Sequence, residues 1–326
     1  MDLRGLDLNL LVVLDALLTE KNVTRAGQRI HMSQSATSGA LARLRVFFRD
    51  ELLISTGRAM LLTPLAQSLV KPVRDIMLQV QATVAATAEF DPATAKRKFT
   101  IMGSDYAMTV FMAAVLQRAE KEAPGITFEL RQTTQSHHDA LNRGEIDFLL
   151  IPDIFASADH PSELLFEDDH TCVVWQDNPL VGSTISFAQY LAMGHVIMAF
   201  GDARNPSFDE WFLKNYGYVR RIEVVVPAFT LLPTMIVGTN RIATMHTRLA
   251  KLYAKYLPLR LVPFPIEIPK LTETLQWHKY EDLDPSCIWL RKIMNETAQQ
   301  LGQLAIGPAR AVQKNRQAVT PAVPCR

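Results

Sequence analysis

The sequence predicts a multidomain α+β chain in three parts: a short helical N-terminal unit, one long helix, and a C-terminal α/β region. Three observations carry this. Short apolar repeats at helical spacing, each behind a capping residue, fill Met1 to about Pro64. Leu65, Leu69, Val73, Ile76, Val80 and Val84 then form a seam with no core of its own. From Phe99 to Gln303, β-branched runs alternate with amphipathic helical patterns, as in α/β units with parallel strands. The expected boundaries are 1–64, 65–89 and 96–304, and the Pro-containing tail 305–326 is expected to be disordered.

In the N-terminal unit, Asp7 reads as the N-cap of a first helix that buries Leu10, Leu11, Leu14 and Leu18. Asn22 caps a second helix, Val23 to Ile30, and His31 and Met32 make a tight connection. Ser33 caps a third, with a buried stripe of Ala36, Ala40, Leu44 and Phe47. Two short helices joined by such a turn form a helix-turn-helix, whose second helix enters the DNA major groove. Its leading face here is short and polar: Ser33, Gln34, Ser35, Thr37 and Ser38. A Gln amide pairs with adenine N6 and N7. Arg43, Arg45, Arg49 and Arg58 follow as phosphate partners. A helical bundle with an ordinary polar outer face would show the same periodicity.

Length and composition agree. At about 100–200 residues per domain, 326 residues make two or three domains. Hydrophobic content of 48% with 21% charged residues excludes a disordered or collagen-like chain. No apolar run reaches the ~20 residues of a membrane helix, since Leu8 to Leu18 is short and contains Asp15. The opening Asp2, Arg4 and Asp7 lack a secretory layout, so a cytoplasmic chain without membrane partners is expected. Cys172, Cys287 and Cys325 fit neither a disulfide framework nor a zinc site, and no metal or cofactor is expected. A net charge of +1 excludes a uniformly basic coat protein but allows a local basic patch.

The run Thr24-Arg25-Ala26 … Ile30-His31-Met32-Ser33-Gln34-Ser35-Ala36-Thr37-Ser38 … Leu41-Ala42-Arg43-Leu44-Arg45, with the later Leu62-Thr63-Pro64, resembles the winged helix-turn-helix of LysR-type transcriptional regulators. The resemblance spans about Leu6 to Gln303. It departs from the family pattern at Ser35, where Pro is usual, at Gly27, where Ala is common, and at Ser55, where the wing often carries Arg. A helix-interior Gly loses up to ~1 kcal/mol, and Arg58 is a substitute for the missing wing cation.

The resemblance implies that the long helix pairs antiparallel with that of a second subunit, giving homodimers and homotetramers that bend double-stranded promoter DNA. Pro72 should kink this helix. Packing against the chain's own DNA-binding unit is the alternative.

For 96–304 the resemblance implies a two-lobed, periplasmic-binding-protein-like effector domain, with one lobe about 96–170 and 275–304 and the other 171–274. Strands are expected at Phe99–Gly103, Ile126–Leu130, Ile146–Ile151, Thr171–Trp175, His195–Ala199, Ile222–Val226 and Ile242–Met245. Helices follow at Phe208–Tyr216, Phe229–Val237 and Thr247–Tyr256. In open α/β sheets, ligands bind beyond the carboxyl ends of strands. That rule selects Ser104, Tyr106, Thr133 and Thr134 in one lobe, and Phe200, Gly201, Pro227, Phe229 and His246 in the other. His170 joins them at the expected crossover. Hydroxyl, aromatic and imidazole groups suit a small phenolic or carboxylated aromatic effector.

Trp277-His278-Lys279-Tyr280, Asp284-Pro285 and Trp289-Leu290-Arg291, with Leu6-Asp7-Leu8-Asn9-Leu10-Leu11, are similar to two LysR branches. One regulates aromatic and chloroaromatic catabolism, including chlorinated-hydroquinone breakdown. The other holds the flavonoid-responsive nodulation activators. The expected function is an activator of aromatic catabolic genes that admits RNA polymerase when its effector binds, with the nodulation-type activator as the alternative. Trp277 and Trp289 read as core anchors.

Enzyme signals are weak. No phosphate-binding glycine loop, nucleophile elbow or zinc-protease motif occurs. Adjacent His137 and His138 should project about 100° apart on a helix, as surface residues. Asp168-Asp169-His170 reads as a solvated loop. A two-lobed solute-binding protein is the competing class, but it has no use for the N-terminal helices.

Overall fold

The computed structural model of the chain describes residues 7, 9–57, 59–85, 89–201, 205–206, 213–215 and 217–305. The expected caps form. Asp7 accepts the Asn9 N–H at 3.0 Å ahead of α1 (Asn9–Glu20), and Asn22 accepts the Arg25 N–H at 3.0 Å ahead of α2 (Val23–Arg29). Ser33 accepts the Ala36 N–H at 3.2 Å at the head of α3 (Gln34–Phe48). Leu14, Leu17 and Leu44 lie at most 1% exposed in the core these helices share. Each such leucine is worth about 1.5–3 kcal/mol.

The α3 stripe differs from the expectation. Thr37, Ala40, Leu41 and Leu44 are buried, whereas Ala36 is exposed and Phe47 half-buried. The cause lies in α2. A Cβ on Gly27 would fall 2.7 Å from Thr37 Oγ1 and 2.8 Å from the Met32 carbonyl oxygen. Gly27 therefore lets the helices cross at Thr37, and its poor helix propensity is offset by that contact. Gly27→Ala should destabilise the N-terminal unit by about 1–3 kcal/mol, with Thr37→Ala recovering part of the loss. Urea melts of the three variants check this.

Strands β1 (Leu53–Thr56) and β2 (Ala59–Leu62) form the antiparallel wing, with Gly57 at φ +65° in the turn. Arg58 lies outside the described residues. The Thr63 hydroxyl donates to Asp50 at 2.6 Å and accepts the Ala66 N–H at 3.0 Å, fastening the wing to α4 (Pro64–Ala85). Helix α4 runs through Pro72, and its apolar seam is divided. Leu69 and Val73 pack on the N-terminal core, while Ile76, Val80 and Val84 remain exposed. The alternative packing thus holds for the first half of the helix.

Two mixed sheets follow. In the first, β4 (Thr127–Gln132), β3 (Lys98–Gly103) and β5 (Phe148–Pro152) are parallel, followed by antiparallel β13 (Leu271–Trp277) and β6 (Ser162–Asp168). In the second the order is β10 (Arg221–Val226), β8 (Gly194–Phe200), β11 (Ile242–His246), β7 (His170–Trp175) and β12 (Leu259–Pro263), with β9 (Asn205–Pro206) on β8. An all-parallel reading fails because the chain passes between lobes twice, after β6 and after β12. The strands flanking those passages run antiparallel to their neighbours.

The helices of this region are α5 (Asp105–Ala107), α6 (Ala113–Glu122), α7 (His137–Asn142), α8 (Phe187–Ala192), α9 (Leu232–Ile236), α10 (Thr247–Tyr253) and α11 (Pro285–Ala305). A π-helical turn, Met108–Met112, joins α5 to α6, and a 3-10 turn, Phe229–Leu231, precedes α9. The helix expected at Phe208–Tyr216 and the tail expected to be disordered fall mostly outside the described residues. Among the described residues no helix is long and apolar enough to cross a membrane.

Candidate DNA-reading helix and effector cleft

The leading turn of α3 presents Ser33, Gln34, Ser35 and Ser38 to solvent, with Ser33 Oγ 3.1 Å from Ser35 Oγ. Thr37 is the exception. It is 0% exposed, and its hydroxyl donates to the Ser33 carbonyl at 2.9 Å, so it packs the helix crossing and does not face outward. Arg45 is also otherwise engaged. Its guanidinium donates to the Glu51 and Leu53 carbonyls at 2.9 and 3.0 Å and pairs with the Glu51 carboxylate, bracing the wing against α3. Arg43 is exposed and pairs with Asp7 at 3.2 Å. The Asp7 carboxyl is held below the usual range by the Asn9 N–H and then by Arg43.

In the α/β region the lobes face each other across a cavity of about 590 Å³. Of the expected effector residues, Ser104, Thr133, Thr134, Gly201 and Pro227 line it. Ser104 caps α5 by accepting the Ala107 N–H at 3.2 Å. Gly201 adopts φ +60°, where a Cβ would meet Gln135 Nε2 at 3.4 Å. Sequence reasoning missed Asp105, Gln132, Gln135 and Ser136, which also line it. The strand-end rule that selected Ser104 and Thr133 would have found them had it been applied to whole turns.

Tyr106, Phe229, His246 and His170 are brought together elsewhere. Tyr106 is 1% exposed, its ring 4.2 Å from His246 and 6.3 Å from Phe229, and His246 is 4.9 Å from His170. They form a packed joint and do not line the cavity. Phe200 ends β8, and its side chain lies outside the description. Asp168 anchors the joint, accepting from Tyr106 Oη at 2.7 Å and from the N–H groups of Asp169 and Arg248 at 2.9 and 3.1 Å. Of the expected solvated loop only Asp169 is exposed: Asp168 is buried at the end of β6, and His170 is half-buried at the start of β7. Burial raises the Asp168 carboxyl although these donors oppose it, and it pushes the Tyr106 phenol well up.

The C-terminal motif residues are structural. Trp277 is 2% exposed, donates to Asp282 at 3.1 Å and lies under the Arg291 guanidinium at 4.2 Å. Glu281, Asp284 and Cys287 cluster as if for a metal, yet Arg97 reaches all three, at 3.1, 2.7 and 3.4 Å, so the cation there is a guanidinium. Burial also pushes the Cys287 thiol strongly up, away from the thiolate a metal needs. His137 and His138 do come together, rings 4.1 Å apart and half-buried, contrary to the expected divergence. His137 Nδ1 lies 2.6 Å from the Thr134 carbonyl oxygen, and burial lowers His138.

The description "Bacterial regulatory helix-turn-helix protein, lysR family" matches residues 8–67, and "LysR substrate binding domain" matches residues 93–299. The chain belongs to the LysR family. Nodulation protein D 2 of Rhizobium tropici is 45% identical over 298 residues, covering 91% of this chain and 95% of its own. Nodulation protein D 1 of Rhizobium meliloti is 45% identical over 301 residues, covering 92% and 98%. Six more nodulation proteins D, from Rhizobium and Bradyrhizobium, are 43–44% identical. Full-length OxyR of Pseudomonas aeruginosa shares the fold, with TM-score 0.70, 17% identity and coverage of 90% and 95%.

As a LysR-type protein the chain is a DNA-binding, effector-responsive transcriptional activator, not an enzyme. LysR-type regulators bind promoter DNA and small-molecule effectors and form oligomers. The two-lobed, periplasmic-binding-protein-like domain behind a winged helix-turn-helix is the architecture expected above.

Proposed function

We propose that the chain activates transcription when a small hydroxylated aromatic binds between its lobes, and that α3 reads the promoter through Ser33, Gln34, Ser35 and Ser38. The cavity carries this reading: about 590 Å³ between two lobes, lined by hydroxyl and amide groups, is of the size that takes a small ligand. Arg43 and Arg58 supply phosphate contacts. The exposed Ile76, Val80 and Val84 pair with the same stripe of a second copy, giving the homodimer and, by further pairing, the homotetramer. Effector binding biases the lobe arrangement only as far as it favours one state over the other, and RNA polymerase engages in the favoured state.

Similarity to the nodulation proteins D supports a flavonoid-type inducer. A second reading follows the other branch that the Trp277-His278-Lys279-Tyr280 motif resembles. The chain's targets are then aromatic or chloroaromatic catabolic genes, chlorinated-hydroquinone breakdown of the lindane pathway among them. A promoter reporter carrying the adjacent intergenic DNA, dosed with a flavonoid and with chlorohydroquinone, separates the two. Activation by neither would remove both. In gel shifts Gln34→Ala should lose about 1–3 kcal/mol of operator affinity, and an unchanged affinity would show that Gln34 reads no base.

A further inference from the structure

We infer that Asp105 fixes the charge class of the effector, so that the cleft takes uncharged hydroxylated aromatics and turns carboxylates away; this rests on the cleft reading above. Asp105 belongs to the first lobe, at the start of α5 just beyond β3. Its carboxylate crosses to the second lobe and accepts two consecutive backbone N–H groups, Phe229 at 3.1 Å and Thr230 at 2.7 Å. Both N–H groups are thereby occupied, and the carboxylate itself stands in the cavity lining. Here the chain supplies its own anion.

Two consequences follow from chemistry alone. A ligand carboxylate would meet like charge in a partly enclosed site, where screening is weaker than in water. To take the N–H pair it would also have to break a contact that holds the lobes together. The other described side chains lining the cavity, among them Ser104, Gln132, Thr133 and Gln135, are uncharged donors and acceptors that pair with phenolic hydroxyls without a charge penalty.

The test uses the full-length protein and two probes on one ring, 2,5-dihydroxybenzamide and the anion 2,5-dihydroxybenzoate. Calorimetry gives affinity, and hydrogen exchange over residues 132–136 reports the site. The wild type should bind the amide at least about tenfold tighter than the anion. Asp105→Asn keeps an acceptor for one N–H but removes the charge, and should narrow that ratio to within about threefold; Asp105→Glu should preserve it. An anion bound as tightly as the amide by the wild type overturns the assignment, and so does an unchanged ratio in Asp105→Asn. The wild-type ratio decides alone if the variant does not fold. Protection of residues 132–136 by neither probe overturns the cleft reading itself, a separate outcome.

Discussion

Arg97→Met should destabilise the effector domain by about 3–5 kcal/mol in urea melts. The guanidinium sits ahead of β3, its side chain 25% exposed, and pairs with Asp147 at 2.8 Å, Asp284 at 2.7 Å and Glu281 at 3.1 Å. It also donates to the Ser286 hydroxyl and lies 4.4 Å from the Phe99 ring centroid. Methionine fills the volume and leaves three carboxylates facing one another. Burial raises Asp284, yet the Ser286 hydroxyl and Arg97 outweigh it and hold its carboxyl below the ordinary 3.8. Its stabilising share is therefore present above that value and fades as pH falls through the lower folded one. Arg97→Lys should fall between, because an ammonium cannot reproduce the planar fork. A Met variant within about 1 kcal/mol of wild type would show that the cluster tolerates its own repulsion.

Glu273→Gln should do the opposite. Glu273 lies on β13, 2% exposed, and its Oε1 has no hydrogen-bond partner among the described residues. Burial pushes its carboxyl from 4.5 up to about 8. The unfolded chain therefore gives up this proton first, and the native state loses stability as pH rises from about 4.5 to about 8. A neutral glutamine removes that loss. The variant should match wild type near pH 4 and exceed it by about 4 kcal/mol at pH 8, at 1.36 kcal/mol per pKa unit. An equal difference at both pH values would mean that Glu273 is not the titrating group.

Much of this was legible beforehand, and the failures have physical causes. The caps at Asp7, Asn22 and Ser33 were readable because a polar side chain ahead of an apolar repeat is local information. Strand ends identified Ser104, Thr133, Thr134, Gly201 and Pro227 for the same reason. Thr37 and Arg45 were misplaced because what decides their direction is remote in sequence: a missing Cβ on Gly27, and the carbonyls of Glu51 and Leu53. Tyr106 and His246 obey the strand-end rule but sink into a joint that exists only once two lobes meet. Strands β6 and β12 were invisible as parallel units because they belong to the crossings between lobes.

Arg74 of α4 stands where three parts of the chain come within reach of one side chain. It pairs with Asp15 of α1 at 2.9 Å and donates to the carbonyls of Arg143 and Gly144 in the turn after α7. Leu78, one helical turn on, packs against the same Gly144. The N-terminal unit and the first lobe are thus riveted together through one side chain of the helix that joins them. A twist of the first lobe that moved Arg143 and Gly144 away from α4 would have to break the Arg74 contacts, and the same guanidinium is held by Asp15 of α1.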